Sequence, residues 1–92
     1  MEQVDKYIRT VFAASVALGE EEIFGENLTL AQIMARSGKL HNSIDLMEAF
    51  ARTANGLKKE HGVKVRLPAF PLDTHISEVL ASFMSEVEKV AA

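Results

Sequence analysis

Residues 42–62 read Asn42-Ser43-Ile44-Asp45-Leu46-Met47-Glu48-Ala49-Phe50-Ala51-Arg52-Thr53-Ala54-Asn55-Gly56-Leu57-Lys58-Lys59-Glu60-His61-Gly62. A polar start, apolar residues three and four apart, a basic end and a glycine follow one another in the order of an amphipathic helix. Asn42 or Ser43 can cap it, and Asp45 complements the positive end of the helix dipole. The predicted apolar face is Met47, Phe50, Ala51, Ala54 and Leu57, with Lys58, Lys59 and Gly62 as the stop signal. Asn55-Gly56 is a turn dipeptide inside that pattern, so the helix either breaks there or runs on to Glu60.

Upstream, Val4, Ile8, Val11 and Phe12 recur at helical spacing, Ser15 continues their face toward Leu18, and the pattern stops at Gly19. A loop is expected through Phe24-Gly25-Glu26-Asn27. Thr29-Leu30-Ala31-Gln32 then offers a capping box for a short helix ending near Ser37-Gly38, where glycine can take a left-handed conformation. Downstream, Gly62-Val63-Lys64-Val65-Arg66-Leu67 alternates like a strand. One strand would have no partner in a helical chain, so it reads as an extended connector. Pro68 and Pro71 permit at most one short turn between them. Asp73 or Thr74 caps a last helix whose core face is Ile76, Val79, Leu80, Phe83, Val87 and Val90. The expectation is an all-α bundle of three main helices plus short helices in the loops, one domain over residues 1–92.

Composition narrows the function classes. The chain has 92 residues, 48% of them hydrophobic, which is enough for one core but not for a large substrate cleft. Without cysteine, disulfides and thiolate chemistry are excluded. Glu2 and Asp5 precede any apolar stretch, the wrong order for a signal peptide, and no apolar run has membrane-spanning length. A cytoplasmic protein is expected. A net charge of -3 argues against nucleic acid, whose binding draws on clustered Lys and Arg. His41, His61 and His75 lack metal-ligand spacing, and nothing pairs a base with a nucleophile. Met34, Met47 and Met84 lie in or beside apolar stripes and read as core filling, or as adaptable walls of an acyl pocket.

A long first helix, a loop, a serine heading the second helix, a short third element and a final helix together resemble the acyl carrier protein family. Around Ser43 the family motif is aspartate-serine-leucine, an acid, and a glutamate one turn on. Asn42-Ser43-Ile44-Asp45-Leu46-Met47-Glu48 is similar, with Asn42 for the aspartate and Ile44 for the leucine. Gly62-Val63-Lys64-Val65 looks like the family's Gly-Val-x-Ile segment before a proline, and residues 74–83 have its last-helix spacing. The resemblance covers most of the chain from Asn42 onward and, more loosely, helix one.

The resemblance implies a four-helix carrier fold, with phosphopantetheine attached to Ser43 by a phosphopantetheinyl transferase and an acyl or aminoacyl group held as a thioester. Partners would be an acyl-loading ligase or transferase and ketosynthase-type enzymes of fatty-acid, polyketide or related biosynthesis. The chain would not itself be an enzyme and would act as a monomer. Asn42, Ile44, Asp45, Met47 and Glu48 are the candidate partner-recognition residues. Asn42, an apparently longer helix two, and Arg52, Lys58 and Lys59 diluting its acidic face point to a specialised carrier.

Each residue also has a plain structural reading. Ser43 can be a cap alone, Ile44 a partly exposed apolar residue, and Asp45 with Glu48 a solvated face. Two other classes compete. Thr29 to Gly38 resembles the first helix and turn of a helix-turn-helix module, with the Ser43 helix reading DNA, although Asp45 and Glu48 would repel phosphate. A helical protein-interaction domain without a prosthetic group is the third reading.

Overall fold

The computed structural model describes residues 2–91, without the side chains of residues 90 and 91, so the expected burial of Val90 lies outside the described residues. Among the described residues are four α-helices and one π-helical turn: α1 (Glu2–Val16), the π turn (Glu21–Gly25), α2 (Leu30–Arg36), α3 (Ser43–His61) and α4 (Ile76–Ala91). The protein is an all-α helical bundle. One isolated bridge, Thr29 to His75, is the nearest approach to a sheet among the described residues.

α1 turns Ile8, Phe12, Ala13 and Val16 inward, leaving Val11 and Ser15 half-buried beside that face. It ends three residues before Gly19. Ala17 takes the left-handed conformation (φ 56°) and the Leu18 amide donates to the Ala13 carbonyl. A residue with a Cβ costs roughly 1–2 kcal/mol there, so glycine's position did not mark the stop.

The expected loop at 24–27 begins inside the π turn, which places Ile23 in the core and ends at Gly25; Asn27, beyond it, is also left-handed (φ 50°). The Thr29 and Gln32 capping box forms as expected. α2 ends near Ser37-Gly38 as expected, but by an extended Ser37 and not a left-handed glycine, and the buried Ser37 hydroxyl donates to the Val16 carbonyl. That bond ties the end of α2 to the end of α1.

α3 runs unbroken through Asn55-Gly56. Gly56 is there for a packing reason, since a Cβ would overlap the Tyr7 hydroxyl on α1. Tyr7 also meets the His61 ring edge-on at 5.1 Å. Gly62, left-handed at φ 68°, ends the helix with its amide donating to the Lys58 carbonyl. The predicted inner face needs correction. α3 buries Leu46, Ala49, Phe50, Thr53 and Leu57, whereas Met47 and Ala51 are exposed and Ala54 is half-buried. The buried stripe lies against α1, where Phe50 stacks on Phe12 at 5.3 Å.

Past the left-handed Gly62, residues 63–67 form the extended connector expected from their sequence and no helical turn follows between Pro68 and Pro71; the alternation is real, with Val63 buried and Val65 and Leu67 half-buried, while Lys64 and Arg66 are exposed. The alternation lays a strap on the helices instead of joining a sheet. Starting at the end of α3 and bringing Phe70 to Phe50, it returns antiparallel along that helix.

α4 buries Ile76, Val79, Phe83 and Val87, with Leu80 half-buried. Neither Asp73 nor Thr74 caps it. The Ser77 amide donates to Asn27 Oδ1 at 3.0 Å, and the His75 amide donates to the Glu78 carboxylate at 3.1 Å. Backbone bonds from Ile76 to Leu28 and from Leu30 to Thr74 lock this start of α4 to the start of α2. A partner 50 positions away along the chain thus takes the role expected of a neighbour.

Candidate functional site: an exposed serine at the head of an apolar groove

Asn42, and not Ser43, caps α3. Its side-chain oxygen accepts from the Asp45 amide at 3.0 Å, and the Asp45 carboxylate in turn accepts from the His41 amide at 2.9 Å. This reciprocal arrangement uses up Asn42 and engages Asp45, leaving Ser43 as the first helical residue. Ser43 is exposed, and among the described residues its hydroxyl makes no hydrogen bond. The local sequence thus produces a free hydroxyl at the amide-rich, positive end of a 19-residue helix.

Ser43 stands at one end of a cavity of about 410 Å³ between α3 and the strap. The α3 wall passes from Ser43 through Met47 and Phe50 to Asn55, twelve residues on and so about 18 Å along the axis. Val65, Leu67, Phe70 and Leu72 supply the opposite wall. No charged side chain lines the cavity, and Ser43 and Asn55 are its polar side chains.

The six residues singled out from the sequence do not form one cluster. Ser43 and Met47 share the groove. Ile44, 63% exposed, and Met47, 65% exposed, are the large apolar side chains most open to solvent on α3, and Leu72 at the strap's end is exposed as well. Asp45 and Glu48 turn away into a polar cleft with Lys39, His41 and Arg52. The acidic pair therefore borders the same cleft as Arg52 of its own helix, and the exposed face beside Ser43 is apolar.

Sequence reasoning missed the strap residues as part of the site. The signal was present in the apolar alternation from Val63 to Leu67, which marks one side of an extended segment as buried. What it is buried against lies beyond the reach of a local pattern.

The strap is fastened to α4 where the Arg66 amide donates to Glu86 Oε1 at 3.2 Å, with Lys89 Nζ 2.8 Å from the other carboxylate oxygen. The hydrogen bond from Lys89, then that from Arg66, holds the Glu86 carboxyl below its ordinary pKa. Among the described residues no group of three His, Cys, Asp or Glu side chains could hold a metal ion, and no helix is long and apolar enough to cross a membrane. Compared with family models, characterised proteins and solved structures, the chain matches none.

Proposed function

We propose that the chain is an acyl carrier, with phosphopantetheine joined to Ser43 Oγ. The observation that carries the reading is the juxtaposition of an unbonded, exposed serine hydroxyl with the mouth of an uncharged apolar groove. The residues present suit the group. Asn42 occupies the Asp45 amide and leaves the preceding amides of the first turn to face a phosphodiester, which the helix dipole favours. The prosthetic group would supply the thiol that the chain, lacking cysteine, does not have.

The protein's own part is to present and to shelter. Ser43 holds the arm at a fixed helix terminus, and the groove takes an apolar cargo out of water, gaining roughly 0.8 kcal/mol per buried methylene. Ile44, Met47 and Leu72 offer the exposed apolar contact surface for a phosphopantetheinyl transferase, a loading ligase or transferase and ketosynthase-type enzymes. Asp45 and Glu48 line a separate polar cleft, apart from the apolar face beside Ser43, and so contribute less to recognition than the acidic motif implies. An aliphatic acyl group suits the groove better than an aminoacyl group, whose charge would find no partner in it.

Incubation with coenzyme A and phosphopantetheinyl transferases should add the mass of one phosphopantetheine. Ser43 Oγ gains a phosphoester bond as the pyrophosphate bond of coenzyme A breaks and its adenosine bisphosphate leaves. Ser43→Ala should show no gain. If no transferase modifies the native chain, the second reading takes over: a helical interaction domain, favoured by the exposed Ile44, Met47 and Leu72. A DNA reader is disfavoured because Asp45 and Glu48 lie in the first turns of the helix that would enter the groove.

A further inference from the structure

Phe50 and Phe70 meet across the groove, with ring centroids 6.0 Å apart and planes at 66°. The two rings are held very differently. Phe50 stacks on the buried Phe12, which also touches Phe24, so it ends a fixed run of aromatic rings. Phe70 rides on residues 64–70, which make no backbone-to-backbone hydrogen bond among the described residues and are pinned at the Arg66 amide by Glu86. The flanking Pro68 and Pro71 have no amide hydrogen to lose. Lifting this part of the strap therefore breaks few bonds.

Phe50 lies seven residues past Ser43, about 10 Å along α3, and the groove continues beyond it past Ala54 to Asn55. The aromatic contact thus divides the groove into a near half beside Ser43 and Met47 and a far half walled by Ala54, Val65 and Leu67.

We propose that Phe70 sets the length of cargo the protein takes: an unbranched aliphatic chain filling the near half leaves Phe70 on Phe50, and a longer chain must lift it to enter the far half. The inference rests on the carrier reading of Ser43. The occupant is aliphatic because the polar side chains of the groove, Ser43 and Asn55, stand at its two ends, so hydrogen-bonding groups along the cargo would lose water and gain nothing.

The test is displacement of an environment-sensitive dye from the unmodified protein by saturated straight-chain carboxylic acids of increasing length. Affinity should rise about fourfold per added methylene and then level off. In Phe70→Ala the levelling point should move to longer acids, and adding Ala54→Leu to that variant should move it back. Phe70→Leu, which keeps most of the packing, should give an intermediate limit, and circular dichroism checks that each variant folds. The same limit in native protein and folded Phe70 variants, or no binding of any acid by either, would overturn the proposal. Because no prosthetic group is used, failure of the carrier reading registers separately, as absence of the mass gain on Ser43.

Discussion

The two long faces of α3 are built from similar residues and end in opposite states. Toward α1, Leu46, Ala49, Phe50, Thr53 and Leu57 are buried, with Gly56 leaving room for Tyr7. Toward the strap, Met47, Ala51 and Ala54 border a groove. A helix closes the first face because its side chains interdigitate along a regular ridge, whereas an extended strap with one inward side chain in two spans the second without filling it. The lesson is that the stable half and the proposed working half of this protein are one helix turned about its axis.

The largest effect that would break this comparison is unequal cost of truncation. Leu57→Ala, at a fully buried position, should lose about 2–5 kcal/mol in urea unfolding, while Met47→Ala should stay within about 0.5 kcal/mol. Equal losses would mean that the groove face is packed as tightly as the α1 face. At the helix start the contrast is between neighbours. Asn42→Ala should cost about 1 kcal/mol, because it removes the acceptor of the Asp45 amide, and Ser43→Ala should cost less than half of that while abolishing loading.

The smallest effect concerns the strap. The folded-state pKa of Glu86 is depressed, so its contribution is present above the ordinary carboxylate value of 4.5 and is lost as pH falls through the lower folded value. Native protein should thus be more stable than Glu86→Gln at neutral pH, and denaturation curves of the two should converge as pH drops below about 4.5. A gap that persists in acid would show that the Arg66 pin does not depend on the charge.

Legibility in the sequence followed range. The Thr29 and Gln32 box, the start of α3 at Asn42-Ser43 and the extended course of the connector rest on interactions within a few residues and appear where they were expected, and of the two endings left open for α3 the structure has the one at the Gly62 stop signal. The end of α1 at Ala17, the π turn and the Asn27 cap of α4 do not. At the two helix ends distant bonds override the local preference: the end of α1 is bonded to Ser37, and the start of α4 to the loop before α2. Of the candidate site, Ser43 at a helix head was legible, as was the exposure of Ile44. The groove was not, because its second wall comes from Val65 to Leu72, 22 to 29 positions past Ser43.

The sequence alone determined that α3 exists, that it begins at Asn42-Ser43 and that a serine heads it, since caps and dipole act on the nearest amides; whether it runs through Asn55-Gly56 to Gly62 it did not determine. It also determined that an apolar-edged extended segment follows. Which side of α3 is core was misplaced by the sequence reading, which put Met47, Ala51 and Ala54 inside, because Leu46, Met47, Phe50, Ala51, Ala54 and Leu57 draw two overlapping apolar stripes on one cylinder. Only the tertiary structure decided between them: α1 claimed one stripe, and the strap, too thin to cover the other, left the groove that begins at Ser43.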